Sequence, residues 1–407
     1  MIKIQSKIKK YDQKISNFIG GFYFLYACNQ VVASFAELAS FYSIWRVLYQ
    51  VSLMALLLQS FEAILHRVGL LFAVIEFAFL SMYLISFWGY GNVEVSLWKS
   101  VTFTSLSLYV PLGVGAYCIL DRKTLFETLY KMARLTQFLL VMSLLLVGSN
   151  AKETYSMASG YALLLQMTII FGHWIITKKK LDIIITICDF VMIFLFGSRG
   201  PILCFGIFLL LNLLFSRKIP FKNKLLYILC MGVVCLCMTL LYKEILNILV
   251  FIIDRFGFSS RTLRLMLQGI ATYDSGRDVL LEGYINSIQQ KPWLGWGAVG
   301  GRNYGVYPHN LYIELLLCFG IPLGVLISLI ITAILLKGVF QKEIYQQMLA
   351  FVYISRIIGL LLSGSIFQSS DFMICIAMCL SGRLYVGNYA RNIGQLTFYR
   401  SINQYIE

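Results

Sequence analysis

The sequence predicts an all-α integral membrane protein: a polytopic bundle of about twelve transmembrane helices with one long extracytoplasmic loop. Three observations carry this expectation. Apolar residues are 59% of the chain and charged residues 13%, where soluble domains carry about 25% charged, and mean hydropathy is +0.77. Apolar runs close to the length of about 20 residues that a spanning helix needs recur throughout. Lys and Arg are distributed unequally between alternate connecting segments.

The runs lie near 17–35, 43–60, 69–88, 99–120, 135–149, 158–177, 181–197, 201–215, 225–242, 309–336, 346–363 and 371–388. Backbone groups cannot stay unpaired in hydrocarbon, so each run should be helical. The fifth, seventh and eighth are short, and Gly197-Ser198-Arg199-Gly200-Pro201 between the last two reads as a tight turn. The basic N-terminus, MIKIQSKIKKYDQK, lacks a small-residue cleavage site after its apolar stretch and reads as a cytosolic tail.

With the N-terminus inside, the inner segments hold five bases at 1–16, four at 121–134, three at 178–180 and four at 216–224. The short outer segments hold only Lys152 and Arg199. Both termini are then cytosolic. The division along the chain is an N-terminal bundle of about nine helices at 1–242, an extracytoplasmic loop at 243–308, and about three helices with a short cytosolic tail at 309–407. No internal repeat is visible.

The net charge of +15 comes from bases scattered among apolar stretches. It points to membrane lipid head groups rather than nucleic acid. The ten cysteines fall inside apolar runs, where a thiol behaves as a small hydrophobe, and with three histidines no Cys/His zinc spacing occurs. Arg46, Glu76, His173, Asp189 and Arg356 sit within spans. They read either as a substrate or ion path or as interhelical pairs and helix-end positions. His173 lies close to Lys178-Lys179-Lys180, which favours a structural role.

Residues 243–308 carry seven bases and five acids, so individual placements matter more than total charge. Ser275-Gly276-Arg277-Asp278 reads as a capping box, with Ser275 as the cap. Leu281, Tyr284, Ile285 and Ile288 follow at helical spacing, as in an amphipathic helix on the outer membrane face. Arg277 in its first turn either joins free N–H groups in binding a phosphate or pairs with Asp278. In Pro292-Trp293-Leu294-Gly295-Trp296-Gly297, Gly295 and Gly297 allow close backbone approach to a ligand. Trp293 and Trp296 either stack on sugars or sit at the membrane interface. Pro308 suits a helix start. A helix N-terminus disfavours imidazolium, so His309 is placed either as a neutral general base or as a structural residue. Glu314 follows Asn310 by one turn.

Together, Ser275-Gly276-Arg277-Asp278, Pro292 to Gly297, Pro308-His309-Asn310-Leu311-Tyr312-Ile313-Glu314 and Phe319-Gly320-Ile321-Pro322-Leu323-Gly324 resemble the O-antigen polymerase and O-antigen ligase superfamily. Ser198-Arg199-Gly200 is similar to the family's Ser-Arg element. Gly320 and Gly324 have three residues between them, where the ligase pattern tends to have two.

The resemblance implies a bundle of the lipid-dependent GT-C type that uses an undecaprenyl-diphosphate-linked oligosaccharide, with no cofactor and no metal. It implies Arg199 and Arg277 at the diphosphate, His309 at the acceptor hydroxyl, and Asn310 and Glu314 orienting His309 or binding sugar. Arg261, Arg264 and Arg302 are secondary candidates. It also implies a flippase and a chain-length regulator of the same pathway as partners, and the outer face of the bacterial cytoplasmic membrane as the site. The reading favoured is a repeat-unit polymerase for O-antigen, capsule or exopolysaccharide. A ligase comes next. A flippase or transporter ranks lower, because transporters concentrate polar residues at the midplane and often show paired halves. The layout predicts that Lys179→Cys, on a cysteine-free background, reacts with impermeant thiol reagents only from the cytoplasmic side. Labelling from outside would overturn it.

Overall fold

A computed structural model describes residues 2–34, 39–90, 95–148, 157–195, 199–216, 242–255, 277–301 and 307–380, with a few single residues between them. Among these, every regular element is helical. The helices are α1 (Ile2–Ser34), α2 (Ala39–Val68), α3 (Leu70–Tyr90), α4 (Val95–Thr104), α5 (Val110–Cys118), α6 (Arg122–Gly148), α7 (Met157–Thr177), α8 (Lys180–Leu195) and α9 (Arg199–Phe215). They continue with α10 (Tyr242–Arg255), α11 (Arg277–Gln290), α12 (Leu311–Val339), α13 (Ile344–Ile358) and α14 (Ser370–Cys379).

Six of the described helical stretches are long and apolar enough to cross a membrane: Tyr42–Val68, Leu70–Trp88, Val95–Cys118, Ser159–Thr177, Leu311–Val339 and Ile344–Leu361. The expected spans at 17–35, 135–149, 181–197, 201–215 and 371–388 overlap α1, α6, α8, α9 and α14, and their ends at 149, 196–197 and 381–388 lie outside the described residues. Most of the expected ninth span, 225–242, and most of the loop at 256–276 lie outside the described residues.

Local chemistry explains the joints. Gly69 adopts φ +54 and its N–H returns to the Leu65 carbonyl at 2.8 Å, ending α2 as a left-handed glycine does. A π-helical turn, Ser105–Tyr109, joins α4 to α5 just ahead of Pro111, which has no N–H to continue an α-helical ladder. The expected cytosolic tail is helical and packed: α1 starts at Ile2, and Tyr11, Asp12 and Ile15 are buried.

The chain forms two compact units, each discontinuous in sequence. One contains Met1–Ile19, Ala55–Leu125 and Gly276–Glu407; the other contains Gly20–Met54 and Phe126–Ser275. Packing therefore groups residues 1–19 with the last four described helices, α11 to α14.

In the second unit α7 packs on α8 and α9. Asp182, in the first turn of α8, is fully buried. It accepts from Tyr130 at 2.8 Å and Arg134 at 3.3 Å and meets His173 Nδ1 at 2.6 Å. Tyr130 stacks on the His173 ring, centroids 3.7 Å apart. His173 thus has the structural pairing expected of it. Asp189 is fully buried in the same unit, while Arg46 is exposed.

In the first unit Arg67 is paired with Asp12 at 2.5 Å, both buried. Arg67 also donates to the carbonyls of Cys118 and Ile8, and Asp12 accepts from the N–H groups of Leu120 and Asp121 at 3.0 and 3.2 Å. Two buried charges persist only when geometry and extra hydrogen bonds offset desolvation, and removing one partner costs about 3–5 kcal/mol. Arg67→Ala is expected to lose most folded protein, read as membrane abundance and monodispersity in detergent. Normal behaviour would show that the pair is dispensable.

Candidate functional site

The sequence motifs of the first unit converge on a break in α12. Gly320 has φ +75 and ψ 173, and Pro322 follows within the helix. In a regular helix the Leu317 carbonyl would accept from Ile321 N–H, and the Cys318 carbonyl from residue 322, where proline offers none. The break frees all these groups, and the loop after α11 takes each of them. Trp296 N–H donates to Leu317 O and Gly297 N–H to Cys318 O, both at 2.8 Å, and Ile321 N–H donates to Pro292 O at 2.7 Å.

Such contact demands glycine on both sides. A Cβ on Gly295 would lie 2.4 Å from Gly320 N, and one on Gly320 would lie 2.4 Å from Trp293 O. Gly295 and Gly297 also adopt φ +66 and +79. Gly324 lies on the far side of the kink, where a Cβ would come within 2.9 Å of Leu315 O. The glycine motifs thus seat one backbone on another.

The two tryptophans separate. Trp296 is buried with Tyr284, Ile288 and Leu317, and its indole N–H donates to Ser287 O at 2.8 Å. The Lys291 ammonium sits 4.0 Å from its ring centre. Trp293 and Leu294 are 76% and 75% exposed. The buried face of α11 is Tyr284, Ser287 and Ile288, while Val279 and Ile285 point outward. Part of the stripe expected to meet the membrane therefore packs against α12, because the Trp296 turn provides an apolar seat there.

His309 and its neighbours start α12. Asn310, not Pro308, is the cap: its side chain accepts from the N–H groups of Tyr312 and Ile313 at 3.0 and 3.3 Å. The sequence already held this signal, since Asn is among the best caps. His309 precedes it at φ +54, in the left-handed region, with its ring 4.5 Å from that of Tyr307. Glu314, 2% exposed, accepts from Ser365 Oγ at 2.5 Å and from Ile366 N–H at 2.9 Å. No motif in the sequence pointed to Ser365.

Arg277 is the first residue of α11, and Arg199 is the first residue of α9 in the second unit. Arg261, Arg264 and Arg302, with the expected cap Ser275, lie outside the described residues. Among the described residues no cluster of His, Cys, Asp or Glu could hold a metal.

The stretch from α8 through the broken α12 is also where the chain can be compared with known families. Residues 184–328 match the family described as O-antigen ligase. The match supports the superfamily of O-antigen ligases and polymerases, as the motifs suggested. No curated protein and no solved structure matches the chain. The matched segment includes Arg199, Arg277, His309 and both glycines of the break, and it ends inside α12. Ser365, which holds Glu314, lies beyond it.

Gly295→Ala places a methyl group against the Gly320 backbone at a left-handed residue. Overpacking typically costs about 1–3 kcal/mol and left-handed strain about 1–2 kcal/mol more. A fall in the detergent melting temperature is expected, whereas Gly206→Ala, in a helix interior with no atom within 4 Å of the added carbon, should not lower it. Equal behaviour of the two variants would refute the close approach.

Proposed function

We propose that this protein is a glycosyltransferase that polymerises undecaprenyl-diphosphate-linked oligosaccharide repeat units at the outer face of the bacterial cytoplasmic membrane, for O-antigen, capsule or exopolysaccharide. The observation that carries the proposal is the family match over 184–328, which coincides with the His309-Asn310 helix start and the braced break behind it. Members of the family act on lipid-linked glycans, so a lipid-linked donor is the coarse expectation. The polymerase reading is the finer one. A ligase that moves finished glycan to another acceptor uses the same donor chemistry and is the second reading.

In the proposed reaction an acceptor hydroxyl oxygen attacks the anomeric carbon of the donor. The carbon–oxygen bond to phosphate breaks, and undecaprenyl diphosphate leaves with the electron pair. His309 takes the hydroxyl proton as general base. The sequence motifs alone assign Arg277 and Arg199 to the diphosphate, since a guanidinium matches phosphate oxygens bidentately and offsets charge that grows as the bond breaks. Arg261, Arg264 and Arg302 are secondary candidates for the same role. Trp293 is exposed and available to a glycan or lipid, while Asn310 acts by capping. The positive-inside pattern supports a multi-pass protein with both termini cytosolic and this chemistry outside.

Purified protein incubated with one lipid-linked repeat unit should yield a ladder of products. Absence of a ladder unless a separate acceptor is added would replace polymerase by ligase. In the same assay His309→Ala and His309→Gln should both lose activity by about 10²–10⁴-fold, with normal membrane abundance and little change in donor affinity. Arg277→Lys should lose much activity as well, because Lys cannot form the fork. An active His309→Gln would remove the base assignment.

A further inference from the structure

The helical order between α13 and α14 is interrupted over 359–369. A 3₁₀ turn at Gly359–Leu361 leads to Gly364 at φ +104, then to a second 3₁₀ turn at Ile366–Gln368. Non-helical backbone among membrane helices persists only where its polar groups are paired or face water. This segment is paired partly to itself: Ser363 N–H returns to Gly359 O at 2.8 Å, and Phe367 N–H to Ser365 Oγ at 3.3 Å. It also bonds to α12. Glu314 accepts the Ser365 hydroxyl on one carboxylate oxygen and the Ile366 N–H on the other. Phe367 adds ring contacts with Tyr83 and Phe319, at 6.1 and 6.4 Å between centroids. Across the interruption Arg356 pairs with Asp371 at 2.6 Å, which ties α13 to the first turn of α14.

Glu314 lies one turn after Asn310, and its N–H donates to the Asn310 carbonyl at 2.9 Å. His309 comes immediately before that cap, in a left-handed backbone that an ordinary residue adopts only when its surroundings enforce it. A displacement of 362–369 would therefore move Glu314, the first turn of α12 and His309 together. Glu314 is buried and both its oxygens receive protein donors, so it acts through the fold rather than on a sugar. We infer that Glu314 and Ser365 form a latch by which the interrupted segment 362–369 fixes the position of His309. This rests on the reading of His309 as the acceptor base. Glu314 and Ser365 are positioning residues, and Ser365 extends the site to a part of the chain that lies outside the family match.

The test is turnover of the lipid-linked repeat unit by the full-length protein, with kcat and KM measured separately. Misplacing a catalytic group by about 1 Å can cost about 10²-fold, so Ser365→Ala should lower kcat by about ten-fold or more and leave KM within about two-fold. Ser365→Thr, which keeps the donor, should restore kcat. In the His309→Gln background Ser365→Ala should have little further effect, because residues acting through one group are not additive. If Ser365→Ala does not accumulate in membranes, Ser365→Cys takes its place with the same expectation. Full turnover of Ser365→Ala overturns the latch, as does a rise in KM at constant kcat, or an undiminished loss in the His309→Gln background. Full turnover of His309→Gln instead removes the base reading, and the two failures are read from different variants.

Discussion

The interruption of α12 at Gly320 is the constraint on which the proposed site depends. Breaking a helix frees backbone groups that cost about 1–3 kcal/mol each when buried without partners. Here Leu317 O, Cys318 O and Ile321 N–H are all taken by the 292–297 turn. That turn can reach them only because Gly295 and Gly320 lack side chains. The same contact buries Trp296 and gives α11 its seat. It divides α12 into two parts. The first, Leu311 to Phe319, carries the Asn310 cap and Glu314 and has no exposed residue. The second, from Ile321 onward, presents Ile321, Leu323, Leu326 and Leu329 outward, as a lipid-facing helix would.

Charged groups buried among apolar helices follow a single rule in this chain: where a pair is described, each member has additional hydrogen bonds or sits near a helix end. Arg67 and Asp12 tie α1 and α2 to the Cys118–Asp121 turn. Asp182 gathers Tyr130, Arg134 and His173 at the start of α8. Arg356 and Asp371 flank the interruption after α13. Such groups are expensive in a membrane. Their pairing leaves Arg277, rather than these, as the proposed partner of an anionic substrate.

The proposed chemistry is compatible with so rigid a frame. Glycosyl transfer from a lipid diphosphate needs a base at the acceptor and cations at the leaving group, held in register. A capped helix start, braced by one loop and latched by another, suits the first requirement.

The sequence by itself determined the helical membrane class, since composition and run length bear directly on whether backbone and side chains tolerate hydrocarbon. It also located the motif residues, because Gly, Pro, His and Asn at fixed spacing are local signals. The division of labour among those residues was decided only by tertiary structure. Trp293 and Trp296 look alike in sequence, yet one is exposed and the other lies in a core formed by residues of α11 and α12. Glu314 stands one turn from Asn310 and reads as part of the site, but its partners come from 365–366, about fifty residues away in the chain, where no motif marks them. Gly295 suggests a close backbone approach and Gly320 reads as one of a glycine pair, and only their meeting explains both. Burial and pairing between distant segments depend on which surfaces meet, and local spacing carries no record of that.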